Sequence, residues 1–401
     1  MTGRALVRVG VVCDLAEERW PSMDLVADRL LASLRDGPTS HVRAGQVRPA
    51  MRRRATRLPW IGRHPAAFTV DRFSNRLIDY PLYLRAERDR FDLFHLVDHS
   101  YAHLVHRLPA ARTIVTCHDL DTFRSVLEPV AERRGWPFRA MTRHILSGFC
   151  RAARITCDSR ATMNQLLATG LVPADRVRLV PNGVGPVFSA TPDPAGDREA
   201  ERLAGAVSPE CFDILHVGST IDRKRLDLVL CTFAGLRATW PGARLVRVGG
   251  PLTPEQAGLA RDLGIADAIR ELPHVEPAVL AALYRRAMLV VLPSDREGFG
   301  LTVLEALACG APVLASDLPV LREVGGDAAL YCPPGRTDAW TAAAHALVAA
   351  RRATSEAADL RRREIATRQA GRFGWDRYAR QMVEIYDELA GSAGAHRESV
   401  A

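Results

Sequence analysis

Lysine is all but missing from this chain of 401 residues: of its 54 basic residues, every one except Lys224 is arginine. A sequence that uses the planar guanidinium everywhere else and keeps one compact ammonium points to work for which a fork is unsuited. Long apolar runs are missing as well, and none approaches a membrane span, which excludes a bilayer-crossing helix. The eight cysteines (Cys13, Cys117, Cys150, Cys157, Cys211, Cys231, Cys309 and Cys332) are scattered, with no C-x-x-C pair. That argues against a disulfide framework or a structural zinc, and suits reduced thiols in a cytoplasmic enzyme. Acid is missing from one stretch. Residues 37–70 carry seven arginines (Arg43, Arg48, Arg52, Arg53, Arg54, Arg57 and Arg63) and neither Asp nor Glu. Internal repeats and low-complexity segments are absent.

What is present is globular: 47% hydrophobic and 25% charged residues, in a length that holds two domains of ordinary size. The apolar start of the chain ends in Asp14 and lacks a cleavage-type site, so it reads as a first strand and not as a signal peptide. The acid-free stretch has two readings. It is a solvated loop of an arginine-rich protein, or a basic patch for an anionic membrane face or acidic acceptor, with Leu58, Trp60 and Ile61 as shallow apolar anchors. Nucleic acid is disfavoured because no recognised binding module surrounds it.

The most informative stretch is residues 288–316. An apolar run (Met288, Leu289, Val290, Val291, Leu292) reads as a buried parallel strand, and Leu301, Leu304, Leu307 and Ala308 recur at helical spacing. Between them Gly298, Phe299 and Gly300 form a tight turn into a helix N-terminus, where free N–H groups favour a phosphate. Glu297 and Glu305 frame that turn. A carboxylate beside a phosphate site is electrostatically wrong unless it accepts hydroxyls, and two such carboxylates around phosphate-seeking amides describe a nucleotide-sugar site. The plainer alternative is a common βα turn with Glu297 solvated and Glu305 in a surface ion pair.

Glu297 and Glu305, seven residues apart in Glu-Gly-Phe-Gly-Leu-x-x-Leu-Glu-Ala, resemble the E-x7-E pattern of the GT4 family of retaining glycosyltransferases. The similarity continues through Gly310-Ala311-Pro312-Val313-Leu314-Ala315-Ser316. The resemblance implies the GT-B fold: α/β, with two doubly wound Rossmann-like domains facing a cleft and a C-terminal helix crossing back to the first. The expected divisions are 1–190 (acceptor side), 191–210 (linker), 211–374 (nucleotide-sugar side), 375–391 (terminal helix, with Met382, Ile385, Tyr386 and Leu389 on one face) and 392–401 (tail). By position, Glu297 and Glu305 would contact donor sugar and ribose, and the amides from Gly298 to Leu301 the diphosphate. Lys224 aligns with the family's phosphate-binding lysine. Ser219 stands where the family has arginine, and Arg223 is the nearest replacement. His274 and Val275 fall where the backbone meets the nucleobase.

In the first half, strands are expected at residues 7–13, 91–97, 112–117 and 155–159, with a helix from about Ser22 capped by that serine. The family's glycine pair is missing from the first loop, and Trp20 is a candidate for the acceptor wall. His95, His99, His103 and His106 invite a metal reading, but no third committed ligand supports it. Surface or acceptor-facing histidines are preferred, His99 among the latter. His118, before Asp119 at a strand end, matches a family histidine near the reacting sugar. Asp119 and Asp121 spell D-x-D, which in this setting is not a metal site. The implied activity is metal-independent transfer of a sugar from a nucleoside-diphosphate sugar to a glycan, lipid or small-molecule alcohol, with retention and no cofactor. The implied place is the cytoplasm, with peripheral contact at the inner membrane face. The rivals are a nucleotide-sugar isomerase or epimerase and an inactive binding protein. A pyridoxal-phosphate phosphorylase is disfavoured, since the only lysine is committed to phosphate.

Overall fold

The computed structural model describes residues 6–36 and 41–398; the first five residues, the start of the acid-free stretch (37–40) and the last three residues lie outside it. The chain divides into two units, Met1–Gly183 with Trp375–Ala401, and Val184–Gly374.

The first unit carries a six-stranded parallel sheet of β1 (Val7–Val12), β2 (Val42–Val47), β3 (Leu93–Leu96), β4 (Thr113–Cys117), β5 (Arg154–Cys157) and β6 (Val177–Leu179), in the order β2-β1-β3-β4-β5-β6. The central strands β3 and β4 are buried along their length, as parallel strands covered on both faces must be. The terminal helix Trp375–Glu398 covers one face. Its Met382, Ile385, Tyr386 and Leu389 pack with Val9, Val11 and Ile114. The helix runs on through Glu398, where a tail was expected after residue 391. The first helix, Pro21–Asp36, begins one residue before the expected cap, because proline at its first position needs no hydrogen-bond acceptor.

The second unit repeats the plan with β7 (Asp213–Val217), β8 (Arg244–Val248), β9 (Ile269–Leu272), β10 (Leu289–Leu292), β11 (Val313–Ser316) and β12 (Leu330–Cys332), in the order β12-β11-β10-β7-β8-β9. The expected linker is instead the helix Pro194–Ala204 of this unit. Asp193 caps it by accepting the Ala195 N–H, and Arg285 pairs with Asp197 at 2.6 Å. From β7 the chain winds outward to β9, then crosses to β10 on the other side of β7. The loops after β7 and β10 therefore flank a topological switch point, where open α/β sheets hold their ligands.

Candidate functional site

Two loops at that switch point make the site. Residues 218–225 follow β7, residues 293–300 follow β10, and the Asp295 N–H donates to the Arg223 carbonyl at 2.8 Å, tying one to the other. Lys224 ends a short 3-10 turn, Asp222–Lys224. Its ammonium donates to Glu297 Oε1 at 2.5 Å, with the side chains only 13% and 9% exposed. The Ser294 hydroxyl donates to the same oxygen at 2.7 Å. Arg223 donates to the Arg296 carbonyl at 2.8 Å and stands 3.5 Å from Glu297 Oε2. Burial pushes the Glu297 carboxyl up, but the charges of Lys224 and Arg223 and the bonds from Lys224 and Ser294 hold it below its ordinary value. Oε1 is engaged; Oε2 keeps acceptor capacity, and the ammonium keeps donors beyond the one given to Glu297.

Gly300 closes the second loop with φ +95°, a conformation that glycine alone adopts without strain, and a Cβ there would stand 2.6 Å from Leu321 Cδ2. The helix Leu301–Ala308 starts at once, so its first amides have no intrahelical acceptor. Phe299 is buried and packs edge-on against Phe373, which makes it a structural anchor. Glu305, on that helix, accepts the Tyr284 hydroxyl at 3.1 Å. Burial pushes its carboxyl up to about 7, with the Tyr284 bond opposing.

That shift fixes a pH dependence. Between the unfolded value near 4.5 and about 7 the folded chain holds a proton that the unfolded chain has lost, so this group's contribution to stability falls as pH rises. Glu305→Gln is expected to gain on the wild type by on the order of 3 kcal/mol between pH 4.5 and 8. Urea unfolding of both proteins across that range checks it; parallel curves contradict it.

Other expected residues lie further out. Ser219 is exposed on the loop after β7; His274, exposed, and Val275, buried, follow β9, two strands away. Sequence reasoning missed Ser294, Tyr284, His216 and Arg247. His216, at the end of β7, is buried; Nδ1 donates to the Val291 carbonyl at 3.0 Å and Nε2 has no partner. Burial pushes its pKa down to about 4, so the ring is neutral.

In the first unit, His118 follows β4. Its Nδ1 bonds Asp158 Oδ2 at 2.8 Å and its Nε2 donates to the Val97 carbonyl at 2.8 Å; Asn182 donates to the same Asp158 oxygen at 3.1 Å. Burial disfavours its charge, but Asp158, the charge of Asp98 and the Val97 carbonyl together outweigh burial and raise the pKa to about 9, so His118 is an imidazolium with both nitrogens engaged. The surface reading is overturned for His95 and His103, and His99, read as acceptor-facing, is also buried. His95, His99 and His103 are buried; His95 bonds Tyr386 and Thr116, and His103 the Arg76 carbonyl. His99 lies 3.5 Å from Asp98 and 3.6 Å from Asp119. Asp119 also accepts the Asp121 N–H. Trp20 is half exposed, its Nε1 on Glu18. Among the described residues no group of three or more His, Cys, Asp or Glu side chains could hold a metal ion.

Both halves of the chain are similar to known proteins. The family described as Glycosyltransferase Family 4 matches residues 29–187, and the one described as glycosyl transferases group 1 matches residues 211–350. The chain is 34% identical over 253 residues to the D-inositol 3-phosphate glycosyltransferase of Actinosynnema mirum, covering 59% of this chain and 58% of that one. To the same-named protein of Geodermatophilus obscurus it is 36% identical over 250 residues, covering 60% and 53%. The chain thus spans little more than half the length of these relatives. Among solved structures it superposes on sucrose-phosphate synthase of Thermosynechococcus elongatus with TM-score 0.73 at 19% identity, covering 97% of this chain and all of that one. It superposes on an Anabaena protein in complex with UDP and glucose with TM-score 0.71 at 14% identity, covering 95% and 100%. These two show the fold.

Proposed function

The chain belongs to glycosyltransferase family 4 and carries the GT-B fold, and from that premise we propose that it transfers a sugar from a nucleoside-diphosphate sugar to an alcohol acceptor, with retention and without a metal ion. The observation that carries this is the Lys224–Glu297 bond. It joins the loop after β7 to the loop that opens the Gly300 helix, so the only lysine is bonded to a carboxylate four residues ahead of that helix's first amide. Lys224 and the amides would take the diphosphate and stabilise the charge that develops as it leaves. These positive groups would do what a divalent cation does in other transferases. Glu297 Oε2 would accept a sugar hydroxyl and Glu305 the ribose. His118 would act by its fixed charge, since both its nitrogens are engaged. The names of the relatives support a polyol as acceptor. A screen of UDP-, GDP- and ADP-sugars against a panel of polyols, with and without EDTA, tests the proposal; transfer with EDTA present and an unchanged anomeric configuration in the product are the expected results. Product from donor alone, or loss of transfer with EDTA, would contradict it.

We also propose that residues 52–63 touch an anionic membrane surface. This segment is built, not slack: buried Asp71 accepts the N–H groups of Arg54, Ala55 and Thr56 and the Thr56 hydroxyl. It presents Trp60 at 93% exposure, with Leu58 and Ile61 half exposed beside it. Arg53, Arg57 and Arg63 are exposed and have no acidic partner among the described residues. Arg43 and Arg48 lie apart, in and after β2, and Arg48 pairs with Asp24. No helix among the described residues is long and apolar enough to cross a membrane. Each arginine near an anionic surface is worth about 1 kcal/mol. Replacing Arg57 and Arg63 by Gln should therefore weaken binding to phosphatidylglycerol vesicles about tenfold or more, read by co-sedimentation. A wild-type protein that ignores such vesicles at low salt ends the idea.

A further inference from the structure

Arg247 is a buried guanidinium that forms no ion pair among the described residues. It interrupts β8, whose Leu245, Val246 and Val248 are apolar and buried, and is itself 1% exposed. Among the described residues no carboxylate forms an ion pair with it; Glu271, opposite it on β9, is engaged by the Leu252 amide. Only Nη2 has a partner, the Gly218 carbonyl at 3.2 Å, while Nε and Nη1 have none. Arginine is almost never fully buried unless paired, and removing it from water unpaired costs several kcal/mol. A side chain held at that cost needs a partner which the chain does not supply.

Its direction says which. Arg247 is in register with His216, yet its Nη2 reaches Gly218, two residues further toward the C-terminal edge of the sheet. That edge is where the Lys224 loop opens. A Cβ on Gly218 would stand 3.4 Å from His216 Nε2 and 3.7 Å from Lys224 Cδ, so the bare glycine is where the three side chains meet. The charges there are unbalanced for an anion. Lys224 is matched by Glu297, Arg223 is turned onto the Arg296 carbonyl, and position 219, where the resemblance calls for arginine, is serine.

We propose that Arg247 is the second cation of the diphosphate clamp, binding the donor's phosphates beside Lys224 in place of the side chain missing at Ser219. The assignment rests on the donor-site reading above. A guanidinium suits the task because its planar fork offers two parallel donors to phosphate oxygens, and a charge-assisted pair of that kind shifts affinity by about 10- to 100-fold.

The test is calorimetric titration of wild type, Arg247→Met and Arg247→Gln with UDP, GDP and ADP and with the matching nucleosides. In the variants the diphosphate that binds wild type should bind at least tenfold more weakly, with nucleoside affinity unchanged. Ser219→Arg in the Arg247→Met background should recover most of the loss, which a merely structural role for Arg247 would not permit. The Met variant removes an unpaired buried charge and should melt no lower than wild type; should it fail to fold, the Gln variant carries the same reading. Diphosphate affinity within twofold of wild type in either folded variant overturns the assignment, as does failure of the added arginine to restore binding. A wild type that binds none of the three diphosphates overturns the donor-site reading itself.

Discussion

Lys224→Met is expected to lower turnover by about 10²-fold or more while leaving a folded protein that still binds nucleoside. The ammonium makes the shortest charged contact between the two loops of the site, to Glu297 at 2.5 Å, against 3.5 Å for Arg223. It is also replaceable by nothing nearby, since every other basic residue is arginine. Lys224→Arg should fail almost as badly, because the bulkier fork cannot keep the 2.5 Å contact to Glu297 and still present a donor outward. Removing the lysine leaves nearly buried Glu297 with Ser294 and only the longer 3.5 Å pair to Arg223, and breaking a buried ion pair costs about 3 kcal/mol or more. The variant should therefore melt lower. Adding Glu297→Gln should recover stability without recovering turnover, which separates the two effects. Steady-state kinetics and thermal melts of the three proteins check this; turnover within threefold of wild type in a folded Lys224→Met contradicts it.

Gly249→Ala is expected to be the most damaging single methyl in the second unit. Gly249 has φ +128°, and a Cβ on it would stand 2.1 Å from the Gly218 carbonyl oxygen, a backbone atom that cannot swing aside. Strain of the backbone and overpacking together amount to about 4 kcal/mol, or about 10 °C in melting temperature for a unit of this size. The neighbouring Gly250 also has positive φ, +100°, but nothing lies within 4 Å of its Cβ position. Gly250→Ala should thus cost only about 1 kcal/mol. Equal melting temperatures for the two variants would contradict the account.

The strands and the motif in residues 288–316 were legible because buried parallel strands and a glycine turn at a helix start have strong local patterns. The face of the terminal helix was legible for the same reason: Met382, Ile385, Tyr386 and Leu389 recur at helical spacing and are all buried. Residues 191–210 misled because prolines and mixed charge suggest a connection, whereas Pro194 sits at a helix's first position behind the Asp193 cap. His95 and His103, read as surface histidines, are buried, since their hydrogen-bond partners come from elements far away in sequence: Tyr386 for His95 and the Arg76 carbonyl for His103. Arg247 left a visible sign, a charge inside the otherwise apolar Leu-Val-Arg-Val, but its lack of a partner is a three-dimensional fact. The pairing of Lys224 with Glu297 was equally out of reach. Both residues were singled out, but for contacts with a ligand and not with each other.

The most direct measurement is a crystal structure of the protein with whichever of UDP, GDP or ADP it binds. The account predicts the terminal phosphate within hydrogen-bonding distance of both the Lys224 ammonium and an amide at the start of the Leu301–Ala308 helix. Phosphates bound elsewhere on the chain, or touching one of these groups without the other, would contradict it.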